Sequence, residues 1–250
     1  MSQAARKALG YAGAVAIMLV AWEVASLLIA SPALPTPADA LGQLASQFSV
    51  LAPHFGYSAW RVLVSIAIGL VVGAPLGLLL GRSKRADALL GPLVFLNYPV
   101  PKVVFLPVFF VLLGIGNTSI IALISLIVFF QILVTARDAA RSIPGSSVLS
   151  VRSLGADRWQ VFTNVVVPAA MPEIFTALRI SAGTAVAVLF FAETFAGSTG
   201  LGYYVFDAWA RVQFGQMFAG ILAMALLGVL LYEAIEFAEA RVCRWARAGR

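Results

Sequence analysis

The sequence predicts an all-α membrane protein of six transmembrane helices, with both termini in the cytoplasm and one long structured cytoplasmic loop. Three observations carry that reading: the composition, the lengths of the apolar segments, and the placement of the basic residues. Of the 250 residues, 61% are hydrophobic and 11% charged, and the mean hydropathy is +0.96. A soluble domain carries about 25% charged residues. This chain has too little polar surface to clothe a water-soluble globule, so much of its exterior must face lipid.

A spanning helix needs about 20 mostly apolar residues. Six segments qualify within a single domain over 1–250: 9–30, 57–80, 88–113, 118–136, 174–196 and 217–238. The first follows Arg6 and Lys7 and is too long for the apolar core of a signal peptide, so it reads as a retained helix. All of the 17 basic residues except Arg61, Lys102 and Arg211 fall on one side if the N-terminus is cytoplasmic. Cytoplasmic loops are enriched in Lys and Arg, which orients an even number of spans. Arg61 and Arg211 read either as interface anchors and topology signals or, with Lys102, as cations that favour an anionic solute.

Gly69, Gly73, Gly77 and Gly81 recur every fourth residue along the second span, leaving a helix face on which a neighbouring backbone can approach closely. The third span holds Pro92, Pro99, Pro101 and Pro107 beside Asn97 and Lys102. Four prolines break a straight helix, and the freed carbonyls must be buried in protein or line a wet cavity. Lys102 is either a functional cation at membrane depth or a lysine snorkelling to an interface. In the fifth span Arg179 and Glu193 lie about 21 Å apart along the helix, placing each near a membrane face. Glu23 is the other intramembrane acid. Asn97, Lys102 and Glu193 are the candidates for a substrate path.

The connection over 144–172 does not have the composition of a slack linker. Pro144-Gly145 makes a turn, and Ser146 or Ser147 is placed to cap a short helix through Ser153. Gly155 reads as a left-handed C-cap. A second short amphipathic helix follows over Ala156 to Phe162, with Asp157 near its N-terminus and Trp159 and Phe162 as exposed aromatics. Pro168 and Pro172 are expected to end it before the fifth span. Two short helices around a glycine are suited to dock into a partner's groove.

The stretch Arg152-Ser153-Leu154-Gly155-Ala156-Asp157-Arg158-Trp159, running on to Val165-Val166-Val167-Pro168, resembles the cytoplasmic loop of binding-protein-dependent ABC importer permeases. Leu34-Pro35-Thr36-Pro37, Gly73-Ala74-Pro75-Leu76-Gly77, Pro99-Val100-Pro101-Lys102, Leu113-Gly114-Ile115-Gly116 and Gly200-Leu201-Gly202-Tyr203 are similar to the nitrate/sulfonate/taurine branch. The resemblance covers roughly residues 34–240. One departure stands out: where the family has a Glu-Ala-Ala triplet ahead of the glycine, this chain has Leu149-Ser150-Val151.

The resemblance implies a permease subunit, paired with a second copy of itself, in the inner membrane of a bacterium. It implies a cytoplasmic ABC ATPase dimer below, carrying the ATP and Mg, and a periplasmic or lipid-anchored solute-binding protein above. The coupling helix would then comprise Arg152, Leu154, Gly155, Ala156, Asp157, Arg158, Trp159, Phe162 and Pro168, and the solute would be a small oxyanion, sulfonate or related anion. The chain has no Gly-x-x-x-x-Gly-Lys-[Ser/Thr] motif of its own, so it is read as the permease part and not an enzyme, with no cofactor. One cysteine and one histidine give no metal site. The scattered basic residues make no nucleic-acid track. The alternative reading is a proton-coupled secondary transporter using Glu23, Glu193 and Lys102.

Overall fold

The computed structural model describes residues 3–247. Arg250, and the side chains of Arg6, Lys7 and Arg247, lie outside the described part. Every regular element among the described residues is helical: α1 (Gln3–Ile29), α2 (Pro37–Ser46), α3 (Phe48–Arg82), α4 (Lys84–Asn97), α5 (Leu106–Leu113), α6 (Asn117–Ser142), α7 (Gly145–Ser153), α8 (Arg158–Val161), α9 (Val167–Ala196), α10 (Leu201–Ala210), α11 (Phe214–Val242) and α12 (Arg244–Arg247). Five helices are long and apolar enough to cross a membrane, and α4 with α5 makes a sixth if that bent pair is one span.

The bent pair is where the prolines of the third span act. The helix stops at Asn97, turns through Tyr98-Pro99-Val100-Pro101, and resumes as a 3-10 turn over Lys102–Phe105 before α5. The two halves meet at 85°. Lys102 sits at the break, and its Nζ donates to the carbonyls of Asn97 and Tyr98, both at 2.6 Å. A cation here adds a bond to the Asn97 carbonyl, which also accepts from the Val100 N–H at 3.3 Å, and one to the Tyr98 carbonyl beyond the helix end.

The centre of the molecule is α3, α6 and α9. The four glycines of α3 face α6: a Cβ on Gly69 would lie 2.6 Å from Val128 Cγ1, and one on Gly81 would lie 2.3 Å from the Arg137 carbonyl. Numbers rise together along both helices, so α3 and α6 run parallel. Helix α9 runs against them, with Ser58 of α3 bonded to Glu193 and Gln131 of α6 bonded to Thr184. Ile120, Leu123, Ile124, Val128, Ile132 and Leu189 fill the space between and are fully buried.

These directions define two ends. One carries the α3–α4 junction, α7, α8 and the end of α11; the other carries the α1–α2 turn, the α5–α6 turn and α10. At the first end Asp87 of α4 receives a two-pronged bond from Arg137 of α6, at 2.5 and 2.8 Å, and the same guanidinium lies 4.8 Å from the Phe95 ring centroid. Arg137 is buried, so Asp87→Ala leaves a charge without its fork-shaped partner. The expected loss is about 1–3 kcal/mol of stability, read as a lower thermal midpoint of the purified protein, with Asp87→Glu retaining more than Asp87→Ala.

Three expectations need correcting. Pro168 and Pro172 do not end the segment before the fifth span. From Arg158 to Ala196 the chain stays helical, with a π turn over Phe162–Val166. Pro168 falls in the first turn of α9, where a missing N–H is tolerated, and the wide turn absorbs the extra length. Neither Ser146 nor Ser147 caps α7, because the helix starts one residue earlier with Pro144 at the N-cap position. The α1–α3 and α9–α11 connections, read as loops, hold two short helices, α2 and α10, each ten residues and too short to span a membrane. Helix α2 starts at Thr36, whose Oγ1 accepts from the Asp39 N–H at 3.1 Å. It packs on the start of α11, where Gln43 approaches Gly215.

Candidate functional site

The helix pair at the first end is held by its own turn chemistry. Gly155 has φ +88, a left-handed conformation that L side chains adopt at a cost. Its N–H bonds the Arg152 carbonyl and the Ala156 N–H bonds the Val151 carbonyl, the double closure of a Schellman motif. Two residues on, Asp157 Oδ1 accepts from the Gln160 N–H at 2.8 Å and Gln160 Oε1 accepts from the Asp157 N–H at 2.9 Å. This capping box fixes the start of α8. The Trp159 ring stacks on Phe162 with centroids 5.9 Å apart.

The pair is anchored by Val148 and Val161, both buried. It turns Leu149, Leu154 and Trp159 outward at 67%, 87% and 70% exposure, while Arg152 and Arg158 are exposed beside them. Large apolar groups are thus held out in water by a rigid frame, with two guanidinium groups beside them. Leu149, where the family carries Glu, is part of that apolar surface.

The opposite end holds a feature that reading along the chain missed. Arg61 is not an interface anchor: it is 2% exposed and pairs with Glu193, which is 0% exposed, at 2.7 Å. Arg61 also donates from Nε to Asn117 Oδ1 at 2.8 Å and to the carbonyl and hydroxyl of Thr199 at 2.8 and 2.7 Å. Glu193 accepts from the Ser58 hydroxyl and from the Gly202 N–H, and the Leu201 N–H donates to Ser58 Oγ. The carboxylate thus sits at the N-terminus of α10, where helix geometry favours negative charge. Gly200, at φ +111, completes the fit: a Cβ there would overlap the Glu193 carboxyl at 2.3 Å. The cluster joins α3, α6, α9 and α10.

Of the three path candidates, Asn97 and Lys102 come together at the broken span, where Asn97 bonds its own helix at Leu93 and Lys102 is half-buried. Glu193 lies elsewhere, sealed in its cluster and closed to solutes in this conformation. The signal that could have linked Arg61 to Glu193 is depth. Each is a charge a few residues inside an apolar run, and the second run begins on the side of the membrane where the fifth run ends.

A bundle of apolar spans with one broken span and a rigid exposed helix pair at one end defines a multi-pass helical membrane protein. The profile of the family described as binding-protein-dependent transport system inner membrane component matches residues 69–243, and the chain belongs to that family. It is a multi-pass integral membrane permease of an ABC importer, a transport subunit of a family that works with ATPase and substrate-binding protein partners. The taurine transport system permease protein of Escherichia coli (strain K12) is 33% identical over 242 residues, spanning 93% of this chain and 88% of that protein. The nitrate import permease protein of Synechocystis is 28% identical over 242 residues, spanning 92% and 87%. The permease of the MetNI methionine ABC transporter, in an inward-facing conformation, shares the fold with a TM-score of 0.61 and 22% identity, covering 80% of this chain and 97% of that one.

Proposed function

We propose that this chain is the permease of a bacterial inner-membrane importer for a small sulfonate or related oxyanion, driven by a cytoplasmic ATPase dimer that docks on α7 and α8. The observation that carries the reading is the exposed surface of Leu149, Leu154 and Trp159 on a frame locked by a Schellman motif and a capping box. A surface that must transmit force between subunits needs a rigid frame, and each closure removes freedom that would otherwise absorb the motion. ATP and Mg belong to the partner. Closure of the ATPase would move the helix pair as a rigid body and switch the spans between inward and outward access.

Orientation follows from charge. The α7–α8 end bears Arg82, Lys84, Arg85, Arg152, Arg158, Arg241 and Arg244, all with side chains at least partly exposed. At the other end Arg61 and Arg211 are paired with Glu193 and Asp207. An excess of open basic charge marks the cytoplasmic face, which puts the solute-binding protein over α2 and α10 and both termini inside. A second copy of the chain completes the path. The solute class rests on relatives described as carrying taurine, aliphatic sulfonates and nitrate, and on Lys102 at the broken span. A proton relay through Glu193 and Lys102 is not favoured, since the two share no hydrogen-bond partner.

Co-purification with the partner ATPase tests the docking surface. Trp159→Ala removes the stacked anchor and is expected to reduce recovery of the complex at least tenfold. Gly155→Val is expected to reduce it as strongly, by straining the turn that sets the angle of α8. Complexes of wild-type yield and wild-type ATPase activity with both variants would rule out α7–α8 as the docking element.

A further inference from the structure

We infer that Gln131 of α6 and Thr184 of α9 form a hydrogen-bonding station for the solute at the level of Lys102, midway through the membrane. The inference rests on the permease reading above and names residues of its path.

Gln131 is an amide deep in an apolar bundle. It lies about 21 Å along α6 from Asn117 and about 17 Å from Ser142, and Thr184 lies about 18 Å along α9 from Ala196. Both side chains are half-buried. Gln131 Nε2 donates to Thr184 Oγ1 at 3.3 Å, and Gln131 Oε1 is enclosed with no hydrogen-bond partner. The two threonine hydroxyls nearby are committed to their own helices: Thr184 to the Ile180 carbonyl at 3.3 Å and Thr135 to the Gln131 carbonyl at 3.0 Å. Ser125 Oγ on α6 and Ser181 Oγ on α9 are also buried without a partner, but Gln131 is the amide of the group, and it is left half-satisfied. Such a group is costly in hydrocarbon, and a native protein retains one where something else uses it. The terminal torsion of a glutamine is broad, so the amide can turn without disturbing α6.

The neighbouring residue supplies the charge. Phe130 lies next to Gln131 on α6, and its ring centroid is 4.7 Å from Lys102 Nζ. The half-exposed face of α6 at this level therefore bridges the broken span on one side and α9 on the other. It presents a cation, an aromatic floor and an uncommitted amide. That set fits a small oxyanion: Lys102 supplies charge, the amide N–H donates to an anion oxygen, and the amide oxygen accepts from any N–H on the solute. A second copy of the chain facing this level would bring another Lys102, so an anion complements the site better than the copy alone. An uncharged donor also binds weakly enough to release, as a conducting station must.

The test is ATP-driven uptake by the complete transporter in vesicles, with taurine, methanesulfonate and nitrate as probes, measured with ATP hydrolysis in the same preparation. Gln131→Leu is expected to assemble and hydrolyse ATP as wild type does, yet to lower uptake per ATP at least tenfold. Gln131→Asn is expected to recover part of that loss, and Thr184→Val to change the ratio of taurine to nitrate uptake. Gln131→Leu uptake within twofold of wild type overturns the station. So does failure of Gln131→Leu to assemble, which would make the amide a packing contact. Wild-type vesicles that import none of the three probes overturn the solute class on which the station depends, before any variant is compared.

Discussion

Replacing Glu193 with alanine is expected to cost about 3–5 kcal/mol of stability and to free the start of α10 from the bundle. The loss would leave Arg61, 2% exposed, buried without a counter-charge, and would remove the carboxylate that accepts from the Gly202 N–H. Removing one partner of a buried pair is worse than removing both, because the remaining charge still lacks water. Arg61→Met is therefore expected to cost a similar amount, and Arg61→Met with Glu193→Met together to cost less than the sum of the two single changes. The measurement is a double-mutant cycle on the thermal midpoint of the purified protein, with protease cleavage near Thr199 as a local probe. Strictly additive losses would show that the two residues do not act as a unit.

That cluster also marks the limit of what could be read along the chain. The spans were legible because lipid imposes a length and a composition on any helix that crosses it, and this constraint acts locally. The glycine spacing on α3 was legible for a similar reason: four residues make one face of one helix. The Arg61–Glu193 pair is 132 residues apart in sequence, and only the packing of α3 beside α9 brings the two together. The matching depth of the two charges within their runs is the only hint of that partnership, and it does not say which helices pack together. Gly200-Leu201-Gly202 stood out as a motif, but its purpose emerged only from the space around it, where the Glu193 carboxyl and the Phe190 carbonyl leave no room for Cβ atoms.

The prolines tell a parallel story with mixed results. Those at 99 and 101 break the third span, and the 85° bend answers to them. Those at 168 and 172 do not break the fifth, although the residue type is the same. The difference is position. Pro168 enters at a helix start already widened by a π turn, whereas Pro99 and Pro101 are spaced so that neither can complete the turn of the other. Proline chemistry predicts a missing donor, and the neighbouring turns decide whether a break follows. For α9 the consequence is mechanical. Because α8, the π turn and α9 are continuous, a push on Trp159 has a helical route toward Thr184 in mid-membrane, without a slack linker between.

Gly77→Val is expected to exceed the cost of ordinary overpacking, about 1–3 kcal/mol. A Cβ at Gly77 would sit 2.3 Å from the Leu133 carbonyl oxygen and 2.8 Å from the Ala136 Cβ. The first obstacle is backbone on a helix that is itself packed against α9, so it cannot swing aside as a flexible side chain would. Relief requires α3 and α6 to separate along their length, which opens the contacts of Val62, Val128 and Ile132 as well. Even Gly77→Ala is expected to destabilise, although alanine is the better helix former by about 1 kcal/mol. The matched control is Gly13→Ala in α1, where an added Cβ meets nothing within 4 Å and the same propensity gain should appear unopposed. Thermal midpoints of the three purified variants decide the matter. The prediction fails if Gly77→Ala is as stable as Gly13→Ala, since the closeness of α3 to α6 would then be incidental. If the order is wild type, then Gly77→Ala, then Gly77→Val, the glycines set the distance between the two parallel helices. Any switch between inward and outward access would then have to move α3 and α6 together as one body.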